Sequence, residues 1–327
     1  VQTIAPVKQY HAGISDEGFH EVVHLEACMD QIHLMALRHS AFYSPYLMTM
    51  AGGFLREQGL LHDYRVATPQ RTVSDSINNG SCHVAQSAVA ASFDTLEKSI
   101  QSDIVHFAQI NERDGFFIAG RIPEPDFQWQ NLVGRKVLVD HFFQPLAMLK
   151  FGLHRQGIDI AQLDVIDAGN VDEIDAAFRR GEADYVHLQG PAPQQLEKDG
   201  LGYVVAAVGD AVGPVAFSSL CASRSWLETD MAYAFMHAYR KARQYVIEAP
   251  AAELAAKQIE AGFFPNIDTD VLTHTIHSYQ QLGCWQPDPA ISEESYNNLL
   301  EVFLYNRLIT QRHPYDSVVV PPPDTVD

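Results

Sequence analysis

Five short stretches of this 327-residue chain collect the side chains that could do chemistry. The first reads Arg38-His39-Ser40-Ala41-Phe42-Tyr43, and the second is "VAQSAV", with Gln86 and Ser87. A third, "HFAQIN", holds His106, Gln109 and Asn111. "VDHFFQP" adds Asp140, His141, Phe142 and Gln144, and "VHLQGPAP" adds His187, Gln189 and Gly190. Amides and hydroxyls both give and accept hydrogen bonds, rings stack on flat ligands, and imidazole moves protons or binds metals. Arg38 is the one cation well placed among them, and no lysine joins it. This set suits a small polar organic or heteroaromatic ligand better than an inorganic anion. A pyrimidine or similar ring could stack on Tyr43 or Phe142 and bond to Gln86, Gln109 and Gln189.

Ordinary roles compete for the same residues. Ser40 and Ser87 suit helix caps, and Phe42 and Phe143 suit a core. A single histidine at a strand end usually packs or faces water, but His39, His106, His141 and His187 all fall at strand ends expected to face one cleft. That coincidence raises the expectation that some of them serve the site. No HxxxH spacing supports a metal centre, and the metal content is left unassigned. Cys28, Cys82, Cys221 and Cys284 are scattered without a CxxC pair, so no disulfide framework or nucleophile is read from them. No residue is assigned a catalytic role.

The positioning elements follow from periodicity. "IHLMAL", "YRVAT", "CHVAQS", "DIVHFAQI", "GFFIAG", "KVLVD", "LDVIDA", "DYVHL", "YVVAAV" and "VAFSSLCAS" read as strands. Helices are expected over 44–58, 89–99, 144–156, 171–181, 191–200, 224–248, 250–261, 268–283 and 292–306, with a short one ending at Gly80. Alternating strands and helices predict an α/β fold with mostly parallel sheets flanked by helices. The proline-rich stretch "RIPEPDFQWQNLVG" (121–134) breaks the rhythm and reads as a crossover between two lobes. Lobe one is then 1–121 plus 212–327, and lobe two is the inserted 122–211. Residues 1–20 read as an arm, 21–30 as a strand or a helical turn, and the tail "HPYDSVVVPPPD" as a surface wrap.

A net charge of −19 opposes binding to nucleic acid or anionic lipid. No apolar run is long enough for a membrane span, and no export signal is visible. The chain opens at Val1. A signal removed before that point would place the protein in a periplasm, and its absence would place it in the cytoplasm.

With "AFYSPYLMTMAGGFLREQGL" and "LVGRKVLVDHFFQPLAMLKFGLHRQGI" in place, the chain resembles the type II periplasmic-binding-protein fold. It looks most like the branch of aliphatic-sulfonate and nitrate binding proteins and thiamine-pyrimidine synthases. The resemblance rests on Gly53 through Leu60, on Leu132–Val139, and on "DEIDAAFRRGEADYV", and it spans about 30–250. It implies two lobes that close on a small molecule and an ABC permease as a membrane partner. The alternative it carries is an enzyme that builds a pyrimidine from pyridoxal phosphate and a histidine, with iron, and His39 occupies the matching place. Zinc or iron on histidine would belong to that reading. The chain departs from the enzymes twice: Gln31–Arg38 holds no lysine for a Schiff base, and their cysteine-rich segment is replaced by "SSLCAS" with Cys221 alone.

Overall fold

The computed structural model describes residues 29–324. The expected arm, the segment before residue 29 with Cys28, and the last three residues lie outside the described residues. Among the described residues ten strands form two sheets: β1 (Asp30–Ala36), β2 (Leu60–Val66), β3 (Val84–Ser87), β4 (Ile104–Asn111), β5 (Phe116–Gly120), β6 (Lys136–Val139), β7 (Asp164–Ile166), β8 (Tyr185–Gln189), β9 (Tyr203–Ala207) and β10 (Ser218–Ser223). Helices of seven residues or more are α1 (Ser44–Ala51), α2 (Phe143–Arg155), α3 (Val171–Arg179), α4 (Ala192–Lys198), α5 (Asp230–Glu248), α6 (Ala251–Glu260), α7 (Thr269–Leu282) and α8 (Glu293–Tyr305).

The first sheet runs β2-β1-β3-β10-β4 and the second β7-β6-β8-β5-β9. In each, three strands pair parallel, and one strand from the other half of the chain runs antiparallel between its neighbours: β10 in the first, β5 in the second. The architecture is the expected two-lobed α/β type. The strand 116–120 corrects one boundary, because it pairs with β8 and β9 rather than with the first sheet. The chain therefore crosses between sheets at 112–115, and the proline-rich 121–134 stays beside the second sheet. Prolines mark a break in periodicity but not which sheet the flanking strands join.

Local chemistry explains the elements. Asn170 and Glu173 form a capping box at α3, and Thr229, Asp268 and Ser292 cap α5, α7 and α8. The helix expected over 44–58 is cut in two, because Gly53 takes φ +77 and starts a second short helix. The tail does more than wrap: Val318 and Val320 bond to both backbone groups of His106, covering the open edge of β4.

One continuous apolar core joins α1, α5, α7 and α8 to the inner faces of both sheets. Polar links reinforce it where helices of the C-terminal half reach the second sheet's helices. Lys198 of α4 meets Asp268 at 2.5 Å, and Asn306 donates to the Ala147 carbonyl of α2 at 3.0 Å. The crossing itself has no slack, since a Cβ on Gly209 would stand 2.4 Å from the Asp114 carbonyl oxygen. Gly209→Ala should therefore cost roughly 1–3 kcal/mol by overpacking against backbone that cannot yield. Urea denaturation would read this directly, and a variant as stable as wild type would show that the crossing can relax.

Candidate functional site

Ligands in open α/β sheets bind beyond the carboxyl ends of parallel strands. Here the ends of β1 and β3 face those of β6 and β8, and a cleft of about 50 Å³ lies between them. Leu37 and Arg38 follow β1, Gln86 and Ala88 close β3, and Tyr43 comes from the 3-10 turn before α1. From the opposite side come Phe142, Gln144 and Pro145 at the start of α2, Gln189 at the end of β8, and Phe116 at the start of β5. Phe217 and Ser218 complete the wall where the chain returns to the first sheet. A volume of 50 Å³ holds one or two waters, at ~30 Å³ for each in the liquid. A six-membered ring can enter only if the two walls part.

Of the sequence-selected residues, Arg38, Tyr43, Gln86, Phe142, Gln144 and Gln189 meet on this cleft. Gln86 also holds the loop, its Oε1 accepting from the Leu37 and Arg38 N–H groups at 3.1 and 3.3 Å. Gln144 donates to the Phe217 carbonyl at 2.8 Å, tying the two sides together. Tyr43 is buried, its hydroxyl facing the Gln189 and Ser218 side chains, and burial raises its pKa. Phe142 is half exposed at the rim, and the Arg38 guanidinium lies over its ring at 4.9 Å.

A second group supports the cleft from behind. Ser40 caps the 3-10 turn through the Phe42 N–H at 3.2 Å, and Ser87 sits inside the first sheet opposite Ser219. Gln109 donates to the Ser218 carbonyl, and Asn111 donates to the Phe42 carbonyl while accepting from the Ser218 hydroxyl. Asp140 is buried, one oxygen accepting from the Phe142 N–H at 2.8 Å. Gly190 packs directly under Thr275, Tyr279 and Gln194.

The histidines do not converge, which corrects the expectation drawn from their strand-end positions. His39 spends its ring nitrogens on the Tyr64 hydroxyl (2.9 Å) and the Phe263 carbonyl (2.8 Å), among the rings of Phe263 and Phe264. It is thus committed away from the cleft, and burial lowers its pKa. His106 is enclosed between Ser92 and Ser219. His141 bonds the Val139 carbonyl. His187 is fully buried, stacked on Phe116 at 4.8 Å, and neither nitrogen has a hydrogen bond. Burial brings both His106 and His187 down to about 3. Among the described residues no group of three or more His, Cys, Asp or Glu is arranged for a metal. Cys82, Cys221 and Cys284 are buried free thiols.

Sequence reasoning missed Phe116, Phe217, Ser218 and Asp114. The tandem "FSS" within the strand "VAFSSLCAS" is the signal that points to Ser218. Asp114, on the crossing, is fully buried, with one oxygen accepting from the Phe116 N–H at 2.6 Å and the other unpartnered. Burial pushes its pKa up to about 8. A wider groove of about 630 Å³, lined by Ser92, Asp103, Ile104 and Arg224, opens at the opposite end of the β4–β10 ladder. It touches the first sheet alone and gathers no aromatic ring.

A family model described as "NMT1/THI5 like" matches residues 41–253. A Bacillus subtilis (strain 168) protein named "Putative binding protein YtlA" is 26% identical over 299 residues, covering 90% of this chain and 89% of that one. Among solved structures, the periplasmic aliphatic sulphonate binding protein SsuA of Escherichia coli superposes with a TM-score of 0.69 at 15% identity, over 91% of this chain and 94% of its own. The ligand binding component of an ABC-type import system from Staphylococcus aureus, solved with zinc bound, gives 0.67 at 17% identity, over 90% and 97%. These likenesses show a shared two-lobed fold.

Proposed function

Because the chain belongs to the NMT1/THI5-like family, we propose that it is a solute-binding protein serving an ABC importer. It clamps a small polar organic or heteroaromatic molecule between two lobes. One lobe is built on the first sheet with the C-terminal helices and the other on the second sheet. The segments 112–115 and 213–217 act as the hinge, and closure offers a membrane permease a composite surface. The reading is carried by one observation: Arg38, Tyr43 and Gln86 from one side and Phe142, Gln144 and Gln189 from the other line a single cleft. The enzyme alternative needed His39 in the site, and His39 is bonded elsewhere.

The test is mass spectrometry of small molecules released on denaturing the purified protein, followed by titration of the identified compound. Tyr43→Phe and Gln189→Ala should each weaken binding about tenfold, the effect of one hydrogen bond lost in a desolvated site. His39→Ala should leave the affinity within about twofold, since it stands away from the cleft. Equal affinity in wild type, Tyr43→Phe and Gln189→Ala would place the ligand elsewhere.

A further inference from the structure

Two polar side chains of the cleft have their direction set by backbone carbonyls, which can only accept. Gln144, from the second sheet's side, donates its Nε2 to the Phe217 carbonyl at 2.8 Å, so Oε1 is the end left over. That oxygen has no hydrogen-bond partner among the described residues. Nor is this a loose surface amide, since Gln144 is only 7% exposed. On the first sheet's side, the fully buried Asn111 donates its Nδ2 to the Phe42 carbonyl at 2.7 Å. Its Oδ1 must then accept, and it takes the Ser218 hydroxyl proton at 2.7 Å. Ser218 is left with lone pairs alone to offer. The Tyr43 hydroxyl, which faces Ser218, can fill one of the two and leaves the other. Gln144 and Ser218 both line the cleft, and Gln144 is held by the carbonyl of the residue next to Ser218.

Resting on the solute-binding reading, we infer that the ligand carries an uncharged N–H donor, as amides, ureas and ring amines do, aimed at the Gln144 and Ser218 oxygens. An acceptor that gives up water when the cleft fills must find a donor or stay unbonded. A methyl group at that spot leaves both oxygens unmatched, and a site built on hydrogen bonds discriminates steeply against the isostere that cannot make them. An ammonium would supply hydrogens, but no carboxylate among the described residues lines the cleft to neutralise it, and Arg38 stands on the same lining. Gln144 and Ser218 are thus specificity residues for a neutral donor.

The inference is tested by equilibrium dialysis of the whole protein against isosteric pairs. One pair is benzamide and acetophenone, the other 4-aminopyrimidine and 4-methylpyrimidine, and in each an NH2 group is exchanged for CH3. Benzylamine represents the ammonium class. Wild type should retain the amino member of at least one pair about tenfold or more over its methyl partner and over benzylamine. Gln144→Met and Ser218→Ala should each cut that ratio about fivefold while leaving retention of the methyl partner within about twofold. A purely structural effect would instead lower both members together. A methyl partner or benzylamine held as well as the amino member overturns the inference and leaves the binding reading intact, as does an unchanged ratio in both variants. So does a molecule without an N–H group released by the purified protein on denaturation. Retention of none of the five also overturns it, and the binding reading falls with it only if the purified protein releases no small molecule.

Discussion

Replacing Asp114 by asparagine is expected to stabilise the protein by roughly 2–4 kcal/mol at pH 8 and to change little at pH 4. The carboxyl is enclosed at the crossing between sheets, with one oxygen bonded to the Phe116 N–H and the other to nothing. Burial raises its pKa to about 8, against ~3.9 for aspartate in an unfolded chain. Between those values the folded state keeps a proton that the unfolded state has released. Its contribution is therefore intact below about pH 4 and falls as pH rises, by at most ~1.4 kcal/mol per unit. Asparagine keeps the acceptor for Phe116 but leaves a carboxamide N–H unbonded, so it recovers only part of the loss. Urea denaturation of both proteins across pH 4–8 should give curves that diverge with pH. Parallel curves would mean that the carboxylate is hydrated and the account is wrong.

Acid should act in the opposite direction through His106 and His187. Both are fully buried, and both are held down to about 3, against ~6.5 in an unfolded chain. The unfolded state takes protons that the folded state refuses, so stability is intact above about pH 6.5 and is lost as pH falls toward 3. Each imidazole accounts for up to roughly 3 kcal/mol by pH 4. His187→Phe keeps the stack on Phe116 and has no hydrogen bond to lose, and His106→Gln keeps polar contact with Ser92 and Ser219. The double variant should unfold at a clearly lower pH than wild type, followed by circular dichroism. Identical acid transitions would refute the assignment. Together the three groups place a stability maximum between about pH 6 and 7, because two histidines outweigh one aspartate below it and the aspartate acts alone above it.

The ten strands of the described residues were legible, because period-two alternation and apolar runs need only local sequence. The long helices were legible for the same reason, with caps such as Asn170 and Asp268 marking their starts. Pairing partners were not. Nothing in "GFFIAG" says that it joins β8 and β9, since a fully buried strand looks alike in either sheet. The candidate site was half legible. Rings and amides at strand–helix junctions pointed to Arg38, Tyr43, Gln86, Phe142, Gln144 and Gln189, which do line the cleft. The histidines misled, because a position at a strand end does not say which way a side chain turns or which partner claims it. His39 was claimed by Tyr64 and Phe263, residues 25 and 224 positions away. Asp114 was invisible because its burial depends on packing between lobes and not on its neighbours in sequence.

The exchange of strands between the sheets also bears on the order in which a growing polypeptide can finish its parts. Everything the second sheet needs lies between residues 116 and 207. The first sheet leaves β3 and β4 without their shared neighbour until Ser218–Ser223 has emerged. A nascent chain therefore completes the inner lobe while the outer one waits as a half-paired scaffold. A translation stop before residue 218 strands that scaffold with two raw edges, the kind of surface on which chains aggregate.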